Sequence, residues 1–247
     1  MGTVHWAATV IRIRRAGLPD IGGTADVVKA VWDQDVLPDV VRAQIEDDAS
    51  ALWVAEWNDD VLGFVSAFLT IAGDGHRRWE VDLIAVRPAS RGQGLGTRLI
   101  RRVCKTGQAR AASLTRALIR VENVPSQKAF ESAGFTTDSR DQELLLWPPA
   151  TAGDPRPYAG PVDLLPVDTL TYRGLWIERL TSVPAEEQRR ALKAARSIAA
   201  SENRANAGAV IPADESHRLA PDLRDKARMH GEYHWFVKKD QNVKRKT

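Results

Sequence analysis

Residues 87–97 read RPASRGQGLGT, and they separate an apolar run from a basic segment with helical periodicity. The preceding residues 81–86 are typical of a strand, and residues 98–110 are typical of a helix. Three glycines at alternate positions leave the backbone N–H groups of the loop free of side-chain cover. Because a helix begins directly after the loop, its positive end faces the same place. The segment therefore predicts a strand, a glycine loop and a helix that together bind a phosphate or pyrophosphate.

Two better-known phosphate-binding loops do not fit this stretch. A Walker loop ends in Gly-Lys-Ser/Thr, whose lysine reaches the terminal phosphates, whereas Gly96 is followed by Thr97 and Arg98. The dinucleotide-binding fingerprint has its third glycine at the sixth position, and the sixth position from Gly92 is again Thr97. A surface loop that merely ends a strand is the alternative interpretation.

The longer pattern V-x-P-x-x-R-x-x-G-x-G, at residues 86–96, resembles motif A of the GNAT superfamily of N-acetyltransferases. A second block, VENVPSQKAFESAGF at residues 121–135, resembles the family's motif B, in which Asn-x-Pro starts a helix that ends in Gly-Phe. The two blocks follow each other in the family's order and spacing. The resemblance covers roughly residues 10–148 and leaves the rest of the chain unassigned.

The resemblance implies an α/β fold in which helices flank a mixed sheet with splayed central strands. The periodicity of residues 10–147 agrees, since it predicts the element order β-α-α-β-β-β-α-β-α-β-β. We expect the last two strands to form a short hairpin over residues 135–147.

The same resemblance implies that the ligand is acetyl-CoA or a longer acyl-CoA. The loop at residues 91–97 would hold the pyrophosphate, and the strand edge at residues 84–86 would pair with pantetheine amides and polarise the thioester carbonyl. Asn123 would contact the cofactor arm, although an asparagine at this place is also a good helix cap. The expected cofactor-binding residues are Ile84, Ala85, Val86, Arg91, Gly92, Gln93, Gly94, Leu95, Gly96, Thr97, Asn123 and Phe130.

Two carboxylates are candidate catalytic bases, because acyl transfer to an amine requires a neutral nitrogen. Strand alternation places Glu80 and Asp82 on one face of the central strand, together with Ile84. We prefer Glu80, since it lies further from the cofactor and nearer to an acceptor pocket. The alternative for each carboxylate is a salt bridge to a neighbouring arginine. His76 is a third candidate, although its glycine-flanked turn predicts exposure.

Phe130 departs from the family pattern, since many family members place there a tyrosine that protonates the leaving thiolate. Phenylalanine has no hydroxyl, but a thiol with a pKa of about 8.5 gives a tolerable leaving group. The alternative proton donors are water, Ser126, Ser132, Tyr172 and Tyr233. A chain that binds acyl-CoA without turning it over also agrees with this departure.

Composition indicates an ordinary globular protein of 247 residues, with 43% hydrophobic and 27% charged residues. No apolar run approaches the roughly 20 residues that span a bilayer, and the N-terminus lacks the pattern of a secretory signal. The single Cys104 excludes an internal disulfide, and no third ligand accompanies His230 and His234 in a metal pattern. We therefore expect a cytoplasmic protein with no membrane partner and no bound metal.

The net charge of +3 is unevenly distributed. Residues 1–148 carry 18 basic and 19 acidic side chains, whereas residues 149–247 carry 17 and 13. The basic tail at residues 237–247 supplies much of this excess. Such tails contact nucleic acid in some proteins, but a solvated terminus is the simpler interpretation.

A proline- and glycine-rich stretch at residues 149–168 is predicted to link a GNAT-like domain at 1–148 to a C-terminal module at 169–247. The predicted elements of the module are a strand at 170–180, helices at 184–201 and 220–229, and a strand at 232–237. This β-α-α-β order repeats the start of the chain. Two explanations fit: a degenerate half-repeat, or an appended module that packs against the sheet or against a second subunit in a homodimer.

The sequence thus predicts an acyl-CoA-dependent N-acetyltransferase, in which a primary amine of a small molecule or peptide attacks the bound thioester directly. Two other functions compete with it. One is a non-catalytic acyl-CoA sensor, which Phe130 favours, and the other is an interaction protein whose C-terminal module binds a partner.

Overall fold

The computed structural model describes residues 10–151 and 158–239. The predicted linker falls partly, and the basic tail mostly, outside these residues. We call residues 10–151 the N-terminal half and residues 158–239 the C-terminal half.

The N-terminal half follows the predicted order of strands and helices. Its elements are β1 (Arg12–Arg15), α1 (Ile21–Trp32), α2 (Pro38–Glu46), β2 (Ser50–Trp57), β3 (Asp60–Ile71), β4 (Arg77–Val86), α3 (Leu95–Ala109), β5 (Leu114–Arg120), α4 (Val124–Ser132), β6 (Thr136–Thr137) and β7 (Gln142–Trp147). The α/β class with a mixed sheet is therefore confirmed.

The C-terminal half differs from the predicted β-α-α-β order. Its elements are β8 (Asp163–Asp168), β9 (Arg173–Glu178), α5 (Ala185–Ser201), β10 (Ala207–Pro212), α6 (Pro221–Arg224) and β11 (Arg228–Lys239). The linker prediction is wrong at β8, and β10 has no counterpart in the prediction. The predicted helix at 220–229 is a single turn, because β11 already begins at Arg228. Alanine and glycine in β10 carry little strand propensity, so this strand depends on its neighbours in the sheet.

Both halves contribute to one sheet, in the order β1-β2-β3-β4-β5-β11-β7-β10-β9-β8, with β6 on β11. In each half one helix crosses between two parallel strands: α3 joins β4 to β5, and α5 joins β9 to β10. This shared topology is consistent with a degenerate half-repeat, in which the strands of both repeats belong to one continuous sheet.

The predicted hairpin at residues 135–147 is wrong, because β6 and β7 do not pair with each other but lie one after the other along the same edge of β11. Both β6 and β7 pair with β11, and β11 in turn pairs with β5. On its other side β7 pairs with β10. The last strand of each half thus completes the sheet of the other half.

Helices cover both faces of the N-terminal sheet. On one face α3 and α4 bury a cluster that includes Trp79, Val81 and Phe130, joined by Phe236 from β11. On the opposite face α1 and α2 bury a second cluster around Phe64. Burying each of these large apolar side chains contributes about 1.5–3 kcal/mol.

A β-bulge in β4 changes which side chains share a face. Val65 of β3 pairs with Ile84, but Ala67 pairs with Val81, so β4 contains one extra residue opposite β3. Before the bulge Val81 packs against α3, whereas after it Ile84 does so. The prediction that Ile84 lies on the same face as Glu80 and Asp82 is therefore wrong.

Candidate active site

The glycine loop between β4 and α3 has the backbone that its sequence predicts. Gly92 has φ of 79° and Gly94 has φ of 70°, which is the left-handed region that glycine adopts without strain. A Cβ atom at either position would meet nothing within 4 Å, so the loop is open on its outer side. Within residues 10–151 and 158–239, no protein group accepts a hydrogen bond from the N–H groups of residues 92–94. These donors and the start of α3 are thus available to an anion.

The basic side chains around this loop are mostly engaged with the protein itself. Arg91 donates from Nε to the Val86 carbonyl oxygen at 3.1 Å and so closes the loop on itself. On α3, Arg98 donates to the Ile11 carbonyl and Arg101 to the Ser132 carbonyl. The backbone N–H groups, rather than these three side chains, are therefore the donors of the loop that remain available.

The corresponding helix start in the C-terminal half is unsuited to a phosphate. Helix α5 is preceded by Pro184, which has no N–H group, and its first turn carries Glu186 and Glu187. Two carboxylates at the positive end of a helix repel a phosphate, whatever the topology shares with the N-terminal half.

The central strands of the N-terminal half, β4 and β5, pair only where they begin and then diverge. Strand β4 pairs with β5 only over residues 78–80, and the edge of residues 81–86 that faces β5 has no strand beside it. A cavity of about 660 Å³ fills this opening and passes through the sheet, since its walls come from both faces. Residues on the α3–α4 face are Ile84, Asn123, Ser126 and Phe130, and those on the opposite face include Trp32, Phe68 and Asp82.

The C-terminal half forms the remaining wall of the cavity. Its contributions include Tyr172, Trp176, Asn206, His230 and Tyr233. Trp176 packs edge-on against Phe68 with ring centroids 6.3 Å apart, so β9 closes over the N-terminal sheet. Most of these residues were missed by sequence reasoning, because only the pairing of β11 with β5 brings them to the opening.

Asp82 is the titratable group with the surroundings of a general base. Its side chain is exposed to the cavity, and the protein atoms around the carboxyl remove part of its hydration, which raises its pKa to about 7. The nearby negative charge of Glu80 raises the pKa further, whereas the Thr169 hydroxyl lowers it. A carboxyl that titrates near neutrality both accepts and releases protons at physiological pH.

Glu80 lies on the same wall but is already committed to ion pairs. It is only 2% exposed, accepts from Arg116 Nε at 2.8 Å, and accepts from the Thr70 hydroxyl at 2.6 Å. Arg116 and Arg78 each also bind Glu178 of β9 at 2.6 Å. The preference for Glu80 as base is therefore not supported, since its salt-bridge alternative is what the structure contains. His76 is exposed in the turn between β3 and β4, as expected.

Asn123 and Phe130 both line the cavity, in different roles. The Asn123 Oδ1 atom accepts from the Ser126 N–H at 3.2 Å, so this side chain caps α4 at the edge of the cavity. Phe130 is 2% exposed and packs against Phe135 with ring centroids 4.9 Å apart. Position 130 therefore supplies an apolar wall and no proton.

Cys104 has a structural role. It is buried in the α3 cluster, and burial raises the pKa of its thiol to about 11.

In the part of the chain that is described, no helix is long and apolar enough to cross a membrane, and no group of three metal-binding side chains occurs.

The fold and the open glycine loop of residues 24–135 are those of a GNAT-type domain. Residues 24–135 match the model of the acetyltransferase (GNAT) family, and the domain that they form belongs to that family. No match was found among curated proteins.

Two solved structures show a similar fold over nearly the whole chain. A GCN5-related N-acetyltransferase from Sphaerobacter thermophilus is 16% identical, with a TM-score of 0.55 over 93% of this chain and 95% of that chain. The glucosamine N-acetyltransferase region of a fungal multi-domain GH3 β-N-acetylglucosaminidase is 11% identical, with a TM-score of 0.59 over 94% of this chain and 38% of that one. A putative acetyltransferase from Salmonella typhimurium, solved with its cofactor acetyl-CoA, is 23% identical over 58% of this chain and 86% of that one, with a TM-score of 0.47.

Proposed function

We propose that this protein is an acetyl-CoA-dependent N-acetyltransferase that acts on a primary amine by direct attack. One observation carries the proposal: the cavity that Asp82 lines reaches Ile84, and Ile84 lies beside Gly96 at the start of α3. The Ile84 side chain comes within 3.7 Å of a Cβ placed at Gly96.

The residues around the opening suit coenzyme A. The N–H groups of residues 92–97 would hold the pyrophosphate at the start of α3. The unpaired edge of residues 84–86 would hydrogen-bond the amides of the pantetheine arm, as an added strand does. Asn123 and Phe130 would flank that arm from α4. The bound thioester supplies an activated acetyl group, and a backbone N–H of this edge would stabilise the developing oxyanion.

Asp82 is the proposed base in the transfer step. The amine nitrogen attacks the thioester carbon, a proton passes from nitrogen to Asp82 directly or through water, and the C–S bond breaks to release the thiolate. An alkylammonium has a pKa of about 10, so a base must take a proton from the amine. A base with a pKa near 7 accepts this proton and afterwards releases it to water. Glu80 would act on this step only through its charge.

The acceptor is proposed to be a small primary amine rather than a long peptide. Tyr172 and Trp176 of the C-terminal half line the cavity on the Asp82 side, which narrows the room for a chain that continues past the amine. The aromatic side chains there suit an amine, since a cation is attracted to an aromatic face.

A melting scan followed by an amine panel tests this function. We expect acetyl-CoA to raise the melting temperature, whereas NAD and ATP do not, because a ligand stabilises the state that it binds. Release of free thiol with at least one amine then establishes transfer. Stabilisation by nucleotides only would contradict the acetyltransferase assignment. Stabilisation by acetyl-CoA with no product from any amine would instead support a non-catalytic sensor.

A further inference from the structure

Asp82 of β4 and Arg228 of β11 are the two charged side chains of the cavity wall that form no ion pair within residues 10–151 and 158–239. The others, Glu80 and Arg120, are each paired with an opposite charge. An amine at Asp82 therefore leaves the Arg228 guanidinium without a counter-charge in the same cavity. We propose that the acceptor amine also carries an anionic group, a carboxylate or a phosphate, which Arg228 and the His230 imidazole bind. The inference rests on the proposed function and names the class of its acceptor.

The register of β11 directs Arg228 toward the cavity. Arg228 pairs with Leu146 of β7, and directly paired residues of antiparallel strands lie on the same face of the sheet. Leu146 lines the cavity, whereas the next residue, Leu145, packs into the core beneath α5. Glu143, the acidic residue of β7, shares the face of Leu145 and has its ion pair there. The carboxylate of β7 therefore does not neutralise Arg228.

A β-bulge brings a second hydrogen-bond donor to the same part of the cavity wall. The pairing of β11 with β7 shifts by one residue between Met229 and Gly231, so His230 is the extra residue of β11. His230 lines the cavity two positions after Arg228. Gly231 makes room for Arg120, since a Cβ at this position would lie 2.7 Å from Arg120 Nη1.

The hydrogen bonds of His230 determine which ring nitrogen can donate to a ligand. Nδ1 lies 3.2 Å from Arg120 Nη2 and 2.7 Å from the Tyr233 hydroxyl. A guanidinium only donates, so Nδ1 accepts and the hydrogen of the neutral ring is on Nε2. The protein atoms around the ring and the charges of Arg120 and Arg228 lower the pKa of His230, which keeps the ring neutral. Among the described residues, Nε2 has no hydrogen-bond partner.

The two donors suit an anion in both charge and geometry. The guanidinium of Arg228 presents a planar fork of N–H groups that matches a carboxylate or a phosphate, and the Nε2–H group of His230 adds a further donor. The amine of the acceptor is expected at Asp82 and its acidic group at Arg228. An ω-amino acid or an aminoalkyl phosphate has this arrangement of charges.

Matched pairs of acceptors test the inference with the wild-type protein. Each ω-amino acid from 3-aminopropanoate to 6-aminohexanoate is compared with its carboxamide, which has the same length but no negative charge. Aminoalkyl phosphates are compared with the corresponding amino alcohols. We expect at least one acid to have a kcat/KM about tenfold or more above that of its neutral partner, because only the acid forms charge-assisted hydrogen bonds. The series that shows this preference distinguishes a carboxylate from a phosphate.

Substitution of Arg228 shows whether this residue is the source of the preference. Arg228→Gln should reduce the acid-to-neutral ratio of kcat/KM about tenfold, mainly through a higher KM for the acid, and Arg228→Lys should retain part of the preference. Arg12→Gln is the control, because Arg12 is exposed on the edge strand β1. The acetyl-CoA-induced shift in melting temperature shows that each variant is folded and binds the donor.

The outcomes separate this inference from the proposed function. Transfer to amines with no preference for the acid in either series would overturn the inference and leave the proposed function standing. A preference that Arg228→Gln and Arg12→Gln change equally would also overturn it. A wild type that transfers acetyl to no amine would overturn the proposed function, and this inference with it.

Discussion

Tyr233 pairs with Arg120 across two neighbouring antiparallel strands, although the two residues belong to different halves of the chain. Strand β11 is inserted between β5 and β7, so the N-terminal sheet is incomplete without the last strand of the protein. The GNAT-type domain and the C-terminal half therefore form one structural unit.

Truncation after Pro148 is expected to abolish cooperative folding. It would remove β11 and expose the edge of β5 together with Phe236, which belongs to the core under α3. Thermal melting by circular dichroism, with and without acetyl-CoA, measures the effect. Truncation after Lys239 is the control, since it retains all of β11. A cooperative, acetyl-CoA-responsive melt from residues 1–148 would show that the halves fold independently.

The Asp82→Asn variant is expected to lower kcat by about 10²–10⁴-fold, the range typical of a lost general base. The base must be ionised, so the wild-type rate should rise as the pH increases through about 7 and then level off. The variant should lack that rise. Asp59→Asn is a suitable control, because Asp59 is exposed in the turn between β2 and β3. A variant that keeps both the rate and the pH profile would exclude Asp82 as the base.

The Arg116→Met variant is expected to lower the free energy of unfolding by about 3–5 kcal/mol, because it leaves the buried Glu80 carboxylate with only its longer ion pair to Arg78. Arg116 binds both Glu80 and Glu178, which belong to different halves. Urea unfolding measures the change. Arg140→Met, which removes an exposed ion pair with Asp214, should have little effect. Equal effects of the two variants would mean that the buried cluster does not fasten the halves together.

The Gly94→Val variant is expected to weaken acetyl-CoA binding at least tenfold, since a branched side chain at positive φ distorts the loop and covers its N–H groups. Gly75→Val is matched for backbone strain, because Gly75 has φ of 81° in an open turn away from the loop. Calorimetric titration compares the two. If both variants bind acetyl-CoA as the wild type does, the loop is not the pyrophosphate site.

Local sequence patterns predicted the parts of the fold that depend on neighbouring residues. The glycine loop at 92–96 and the helix that follows it are specified by backbone freedom and apolar periodicity, both of which are visible in the sequence. The cap at Asn123 was predictable for the same reason.

Features that depend on distant partners were not predictable. The insertion of β11 beside Arg120 is decided by which strand completes the sheet, and no local pattern encodes this choice. The bulge in β4 places Ile84 on the opposite face of the sheet from the one that regular strand alternation predicts, and the residue types do not reveal the bulge. For Glu80, the sequence offered both a catalytic role and a salt bridge, and only the approach of Arg116 and Glu178 distinguishes them.

A crystal structure of the protein with coenzyme A tests the central claim most directly. The account predicts the diphosphate against the N–H groups of residues 92–97, with the sulfur in the opening between β4 and β5. Asp82 should then lie in the same cavity as the sulfur. Coenzyme A bound away from the loop, or a diphosphate held elsewhere, would contradict the account.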